Sequence, residues 1–359
     1  MINIVTASPT HTGIGKYAYD LFQTIRSNYQ AKLLVLESKG FQWDKDRRGV
    51  ESIPKKWSIP RYSQIWDHLL NFPNSCGQRD GVVHYTAQYF GSCLPYQDNA
   101  VITHHDLAPW ILPDEYTLAN KFFWKRFMSH YRSARGIIVH TAQAGEELVK
   151  FGLADEDKIH LNHLGVNDSV YYPRDKQKMR QKHGLDPDAK LVLYVGTQHS
   201  RRKNFPFLME VLTEIKKKMP DMKLVTLGGL HPDLTEKREY LETKSFQFVL
   251  EEDMPEIYSA CDFFVLPSLY EGGFAYPPVE AMMCGVPGIV SEDMRIYDKV
   301  CPILSPTDKQ AWISKISDYL NDDELEEARE KSLAFAATQT LKLSAENTVE
   351  IYQKCGFDL

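Results

Sequence analysis

The residues best suited to chemistry lie between Pro267 and Ser291, in PSLYEGGFAYPPVEAMMCGVPGIVS. Glu271 stands in a loop with Gly272, Gly273 and Phe274, where small residues let backbone N–H groups approach a ligand closely. Pro277 and Pro278 then open a helix, a favoured place for proline. Glu280 falls within its first turn or so, and Gly285 and Pro287 end it. A helix N-terminus presents N–H groups to an anion such as phosphate. One carboxylate can accept hydrogen bonds from sugar hydroxyls, and the other can take a vicinal diol such as ribose. The layout suits a nucleotide sugar. A helix start with a stabilising glutamate and a packing loop would be spelled the same way.

Three further stretches carry chemistry. In YVGTQHSRRKN (Tyr194 to Asn204), Gly196 permits a tight turn, and Arg201, Arg202 and Lys203 follow as three consecutive cations. Cations held ready for a departing diphosphate stabilise the transition state more than the ground state; a solvated basic turn is the plainer reading. In TGIGKYA, Gly13-x-Gly15-x-x-Ala18 formally fits the dinucleotide fingerprint, with Glu37 about where a ribose-binding acid belongs. Ser8 to Thr12 intervene after the first strand, however, which is long for that tight turn. In VITHHDLAPWILP, His105 and Asp106 directly follow a strand. No other His or Cys cluster has metal-ligand spacing relative to them, so no metal site is expected.

Positioning these groups requires strands that end beside one another. Short apolar runs (INIVTA, KLLVL, VVHY, AVITH and GIIVH, then KLVLYVG, KLVTLGG, FQFVL, DFFVLPS and VPGIVS) alternate with amphipathic stretches. Those stretches are 16–27, 115–134, 142–151, 205–218, 254–260, 277–284 and 309–320. Such alternation implies α/β architecture, with parallel sheets covered by helices on both faces. Ligands of these sheets bind beyond the carboxyl ends of the strands, which is where all four motifs fall. At about 150 residues per domain, 359 residues suggest two. The pattern breaks near Asn167 to Arg174. The expected division is 1–170 plus a crossover helix at 342–359, and 171–341.

The Pro267–Ser291 stretch resembles the retaining family-4 glycosyltransferases, whose hallmark is E-G-F-G-x-P-P-x-E-A-M-A-C-G-x-P. Supporting stretches are V-G-x(n)-R-K-N, H-D-L-x-P, and the segments Val139 to Leu148, His163 to Asn167 and Met254 to Ser268. The resemblance covers most of the chain except roughly Phe41 to Asp80. It implies the GT-B fold: two facing Rossmann-like, doubly wound domains with an interdomain cleft. It implies that Glu271 and the loop of Gly272, Gly273 and Phe274 face the donor sugar, and that Glu280 takes the ribose. Arg202 and Lys203 become the diphosphate clamp beside Gly196. Gly13 and Gly15 border donor phosphate and acceptor, and His105 approaches the reacting sugar. The implied activity is retaining transfer from a nucleotide-diphosphate sugar to a hydroxyl acceptor (a glycan, a lipid-linked molecule or a small molecule), with no cofactor and no catalytic metal. Two departures stand out. Eight residues separate Glu271 from Glu280 where the family usually has seven. Thr197 also stands where some members have an arginine, which leaves Arg201 to complete the clamp.

Composition narrows the class. A net charge of −6, with 43% apolar and 25% charged residues, is ordinary globular usage. Up to Asp168 the balance is +1 and beyond it −7, so neither half reads as a nucleic-acid binder. Six scattered cysteines (Cys76, Cys93, Cys261, Cys284, Cys301 and Cys355) with no C-x-x-C pair read as reduced thiols of a cytoplasmic protein. NKFFWKRFMSHYRSAR (Asn120 to Arg135) mixes aromatic residues and cations. It reads as a helix with its aromatic face on the core, or as a peripheral membrane contact. Three competing functions stay open. They are a NAD-dependent oxidoreductase using Gly13, Gly15 and Glu37, a glycosidase using Glu271 and Glu280 as its acid/base pair, and a non-catalytic nucleotide-sugar-binding protein.

Overall fold

The computed structural model describes residues 1–10, 12–36, 48–54, 72–73, 78–322 and 324–359. Glu37, Cys76 and most of Phe41 to Asp80, the stretch that the resemblance leaves out, lie outside the described residues. The chain divides into two units, Met1–Gly165 with Leu341–Leu359, and Val166–Thr340.

The first unit is built on a parallel sheet of strands β1 (Ile2–Thr6), β2 (Ala31–Leu36), β3 (Val50–Ile53), β4 (Val82–Tyr85), β5 (Ala100–His104), β6 (Gly136–Val139) and β7 (Ile159–Leu161), in the order β3-β2-β1-β4-β5-β6-β7. β1, β4, β5 and β6 are buried along their whole length, as a parallel strand covered on both faces must be. Ile4 pairs with Leu33 on one side and His84 on the other. The strand order reverses between β1 and β4.

The second unit repeats the plan with β8 (Lys190–Val195), β9 (Met222–Leu227), β10 (Lys244–Phe246), β11 (Phe263–Leu266), β12 (Gly288–Ser291) and β13 (Ile303–Leu304), in the order β10-β9-β8-β11-β12-β13. Here the reversal lies between β8 and β11, and Leu193 pairs with both Val225 and Phe264. In doubly wound sheets this reversal is where ligands collect.

Helices Gly13–Ile25, Ala142–Lys150, Phe205–Lys216, Met254–Ala260, Tyr276–Met283 and Lys309–Leu320 fall where the amphipathic pattern puts them. Leu341–Lys354 packs on Gly13–Ile25. Two details differ from the pattern. FQFVL reads as a strand, but β10 stops at Phe246, and Phe248 is 78% exposed. The edge strands β3 and β7 carry too few buried residues to show as apolar runs. None of the described helices is long and apolar enough to cross a membrane.

Candidate active site

In the second unit the loops following β8 and β11 meet. Gly196 leaves β8 with φ 151°, and the next strand crosses so closely that a Cβ on Gly228 would lie 2.5 Å from the Gly196 carbonyl oxygen. Arg201–Lys203 form a single 3-10 turn, closed by Asn204 in the left-handed conformation. The Arg202 carbonyl accepts from Leu269 N–H at 2.7 Å, which ties the basic turn to the loop after β11.

That tie brings the charged groups together. Lys203 Nζ donates to Glu271 Oε1 at 2.6 Å, and Ser268 Oγ donates to the same oxygen at 2.5 Å. Arg202 Nη2 lies 4.0 Å from Glu271 Oε2. Glu271 is only 7% exposed. An ammonium with three donors can hold this carboxylate and still reach a ligand anion. Arg201 is exposed and makes no ion pair with a described residue, so two of the three cations face Glu271 and one does not.

Beyond Glu271, Gly272 and Gly273 adopt φ 66° and 84° in succession. Glycine enters such a left-handed turn without strain. Glu271 N–H donates to Asp293 Oδ2 at 2.5 Å, and Tyr297 hydroxyl holds the Ala275 carbonyl at 3.2 Å. Phe274 is buried near Tyr297, so the loop contributes its backbone.

The helix starts at Tyr276 after Ala275 as N-cap, with Pro277 and Pro278 next. Four N–H groups at a helix start lack intrahelical acceptors. Two of those positions are proline here, leaving Ala275 and Tyr276 as donors. The helix start thus offers fewer amide donors than one without the two prolines. Glu280, 4% exposed, accepts from Tyr258 hydroxyl at 2.9 Å. Burial, reinforced by the Glu280 carboxylate, holds the Tyr258 phenol well above its usual range. Burial and then Glu271 raise Tyr194 likewise, and its hydroxyl has no partner among the described residues.

The first unit gathers neutral groups. Thr12 caps the helix that Gly13 begins, accepting from Gly15 N–H at 3.2 Å. A Cβ on Gly15 would lie 1.9 Å from the Pro9 carbonyl oxygen, so Gly15 is required by the close approach of helix and loop. The Gly13 and Ile14 N–H groups are those a helix leaves outside its own ladder. His105 follows β5, and its Nε2 donates to the Thr86 carbonyl at 2.8 Å, leaving Nδ1 as an acceptor. Asp106 caps Ala108 N–H at 3.0 Å. His104 is buried instead, 3.3 Å from Tyr131 hydroxyl, and burial pushes it down to about 3.

Motif reading missed the neighbours of His105. The Tyr17 ring packs edge-on against His105 and His140 at 5.6 and 5.2 Å between centroids. His140 Nδ1 donates to the Asn162 carbonyl at 2.9 Å, and its buried Nε2 has no partner among the described residues. Burial first, and then His105, keep His140 well below the usual imidazole range. Tyr17 hydroxyl meets Thr103 at 3.0 Å, Thr103 meets His84 Nε2 at 2.7 Å, and His84 Nδ1 meets Tyr352 hydroxyl at 2.7 Å. No group of three or more His, Cys, Asp and Glu among the described residues could hold a metal.

Residues 189–322 match the family described as glycosyl transferases group 1. A D-inositol 3-phosphate glycosyltransferase of Mycobacterium sp. (strain KMS) is 28% identical over 171 residues, which is 43% of this chain and 36% of that relative's length. The O-antigen chain mannosyltransferase B of Escherichia coli is 28% identical over 271 residues, 71% of this chain and 69% of that one. Among solved structures, the sucrose-phosphate synthase of Thermosynechococcus elongatus superposes with a TM-score of 0.79 at 19% identity, covering 98% of each chain. Anabaena HepE in complex with UDP-glucose gives 0.74 at 16%, covering 99% of this chain and 97% of that one. Residues 189–322 of the second unit are thus similar to glycosyl transferases group 1, and the chain as a whole carries the GT-B fold of two Rossmann-like domains.

Proposed function

We propose that the chain is a retaining glycosyltransferase, moving a sugar from a nucleotide-diphosphate sugar to a hydroxyl of a glycan, a lipid-linked molecule or a small molecule. The observation that carries this reading is the 2.6 Å contact between Lys203 and Glu271 at the strand-order reversal of the second unit. A cation for the leaving diphosphate and a carboxylate for the sugar hydroxyls stand side by side, on loops that the Arg202–Leu269 backbone bond fixes together.

In the proposed reaction the bond from the anomeric carbon to the phosphate oxygen breaks as the acceptor oxygen bonds to the same face. The acceptor proton passes to the departing phosphate oxygen. Lys203 and Arg202 stabilise the charge growing on that oxygen, and preorganised cations act where charge develops. Glu271 and the Gly272–Phe274 backbone orient the sugar. Glu280, steadied by Tyr258, holds the ribose. His105, on the first unit, presents Nδ1 to the reacting sugar, with the Gly13–Gly15 helix start beside the donor phosphate and acceptor. The donor is a substrate, and no separate cofactor enters the scheme.

A thermal-shift screen with UDP-, GDP- and ADP-sugars tests the donor class, beginning with UDP-glucose, the ligand in the HepE complex. A binding donor raises the melting temperature by mass action, and at about a hundred times Kd the gain is about 2.7 kcal/mol. A shift with NAD and with no nucleotide sugar would overturn the reading in favour of the Gly13/Gly15 fingerprint. Binding of a nucleotide sugar without hydrolysis or transfer, across a panel of acceptors, would make the chain a sensor and not an enzyme.

A further inference from the structure

We propose that the outer face of helix Leu118–Met128 docks on an anionic lipid surface. The helix divides its aromatic residues between two faces. Phe127 and Met128 are buried, and Phe123 and Trp124 are partly covered, with Phe123 stacked on Phe127 at 6.3 Å. Leu118 and Phe122 point the other way, 83% and 65% exposed. Four residues apart, they share one side of the helix. Thr117 caps the helix by accepting from Asn120 N–H at 3.2 Å, so this side is presented by a defined helix and not by a loop.

The charges on the helix itself have one sign. Lys121, Lys125 and Arg126 lie on the same helix, and none forms an ion pair with a described residue. From Tyr116 to Arg135 the sequence contains five cations and no Asp or Glu. Two protruding apolar side chains rimmed by unpaired cations match a headgroup layer, into which apolar groups sink while Lys and Arg meet lipid phosphates. A second copy of this chain is disfavoured as the occupant, because a self-complementary contact would set cation against cation.

Co-sedimentation of the whole protein with vesicles tests the proposal and needs neither donor nor acceptor. One vesicle set is phosphatidylcholine alone, and the other carries about 30 mol% phosphatidylglycerol. Binding to the phosphatidylglycerol vesicles should be about tenfold stronger and should fall as salt shortens the screening length to a few Å. The double variant Leu118→Ser with Phe122→Ser should lose binding to both vesicle sets. The triple variant Lys121→Gln, Lys125→Gln and Arg126→Gln should lose the preference for phosphatidylglycerol. The five altered residues are surface positions on one helix, and unchanged melting temperatures verify that each variant folds. Absence of binding by the parent protein overturns the proposal, as does binding that both variants leave intact. A dimer dispersed by the Leu118/Phe122 variant also overturns it, by making a second copy the occupant.

Discussion

In the second unit Lys203, Glu271, Ser268 and Asp293 meet as groups that satisfy one another, a salt bridge flanked by hydroxyl and amide donors. In the first unit Tyr17 is ringed by His84, His105 and His140, and burial keeps all three imidazoles below their usual range. Lys203 and Glu271 follow β8 and β11, and His105 and His140 follow β5 and β6, while His84 lies within β4. What differs is the partner supplied. A buried charge survives where an opposite charge and hydrogen bonds meet it, and otherwise the group gives up its proton. One scaffold thus yields a charged cluster in one unit and a neutral cluster in the other.

The largest effect expected from breaking this contrast is on catalysis. Lys203→Ala should lower turnover about 100-fold or more, the loss typical of a donor aimed at developing negative charge. Near-normal turnover would make the salt bridge a structural device only. In the first unit the corresponding change is His105→Ala, which should cost about tenfold, because a neutral hydrogen bond contributes less than a charge-assisted one. Steady-state rates with the identified donor read both.

Acid should separate the pockets next. His84 and His104 are held down to about 3 by burial, whereas an unfolded histidine titrates near 6.5. Below 6.5 the unfolded chain binds more protons, so these groups leave stability intact above that pH and erode it as the pH falls toward their folded values. The slope approaches about 1.4 kcal/mol per pH unit for each histidine. Urea titrations at a series of pH values between neutral and mildly acidic measure it, and a flat result would contradict neutral burial. The smallest effects come from two matched hydroxyl deletions. Tyr258→Phe, which strips a donor from the Glu280 carboxylate, should cost about 2 kcal/mol, and Tyr352→Phe, facing neutral His84, about 1 kcal/mol. Equal losses would blur the distinction between the units.

How much of this was readable in the sequence depends on whether chemistry and spacing coincide locally. Glu271, the glycine pair and the R-R-K turn are contiguous motifs after apolar strands, and the structure brings the turn and the loop into contact as that pattern suggests. Asp293 and Tyr258 bond the Glu271 amide and the Glu280 carboxylate from the turn after β12 and from helix Met254–Ala260. Nothing local marks them, because their role arises only when the sheet forms. His140 and Tyr17 escaped for the same reason, each looking like an ordinary residue of a strand end or a helix face. The two prolines were visible, yet their consequence (two missing amide donors) emerges only once the helix start is fixed at Tyr276. Edge strands such as β3, Val-Glu-Ser-Ile, fall below any apolar pattern because only one of their residues is fully buried.

The helix Leu341–Lys354 has a consequence for how the protein is made. Tyr352 closes the buried chain that runs through His84 and Thr103 to Tyr17, and Asn162 bonds the Ser344 carbonyl and the Thr348 hydroxyl. Those residues leave the ribosome after all of Val166–Thr340. The later unit can therefore complete itself during translation, while the one begun first must wait with an open flank until Leu341–Lys354 has emerged.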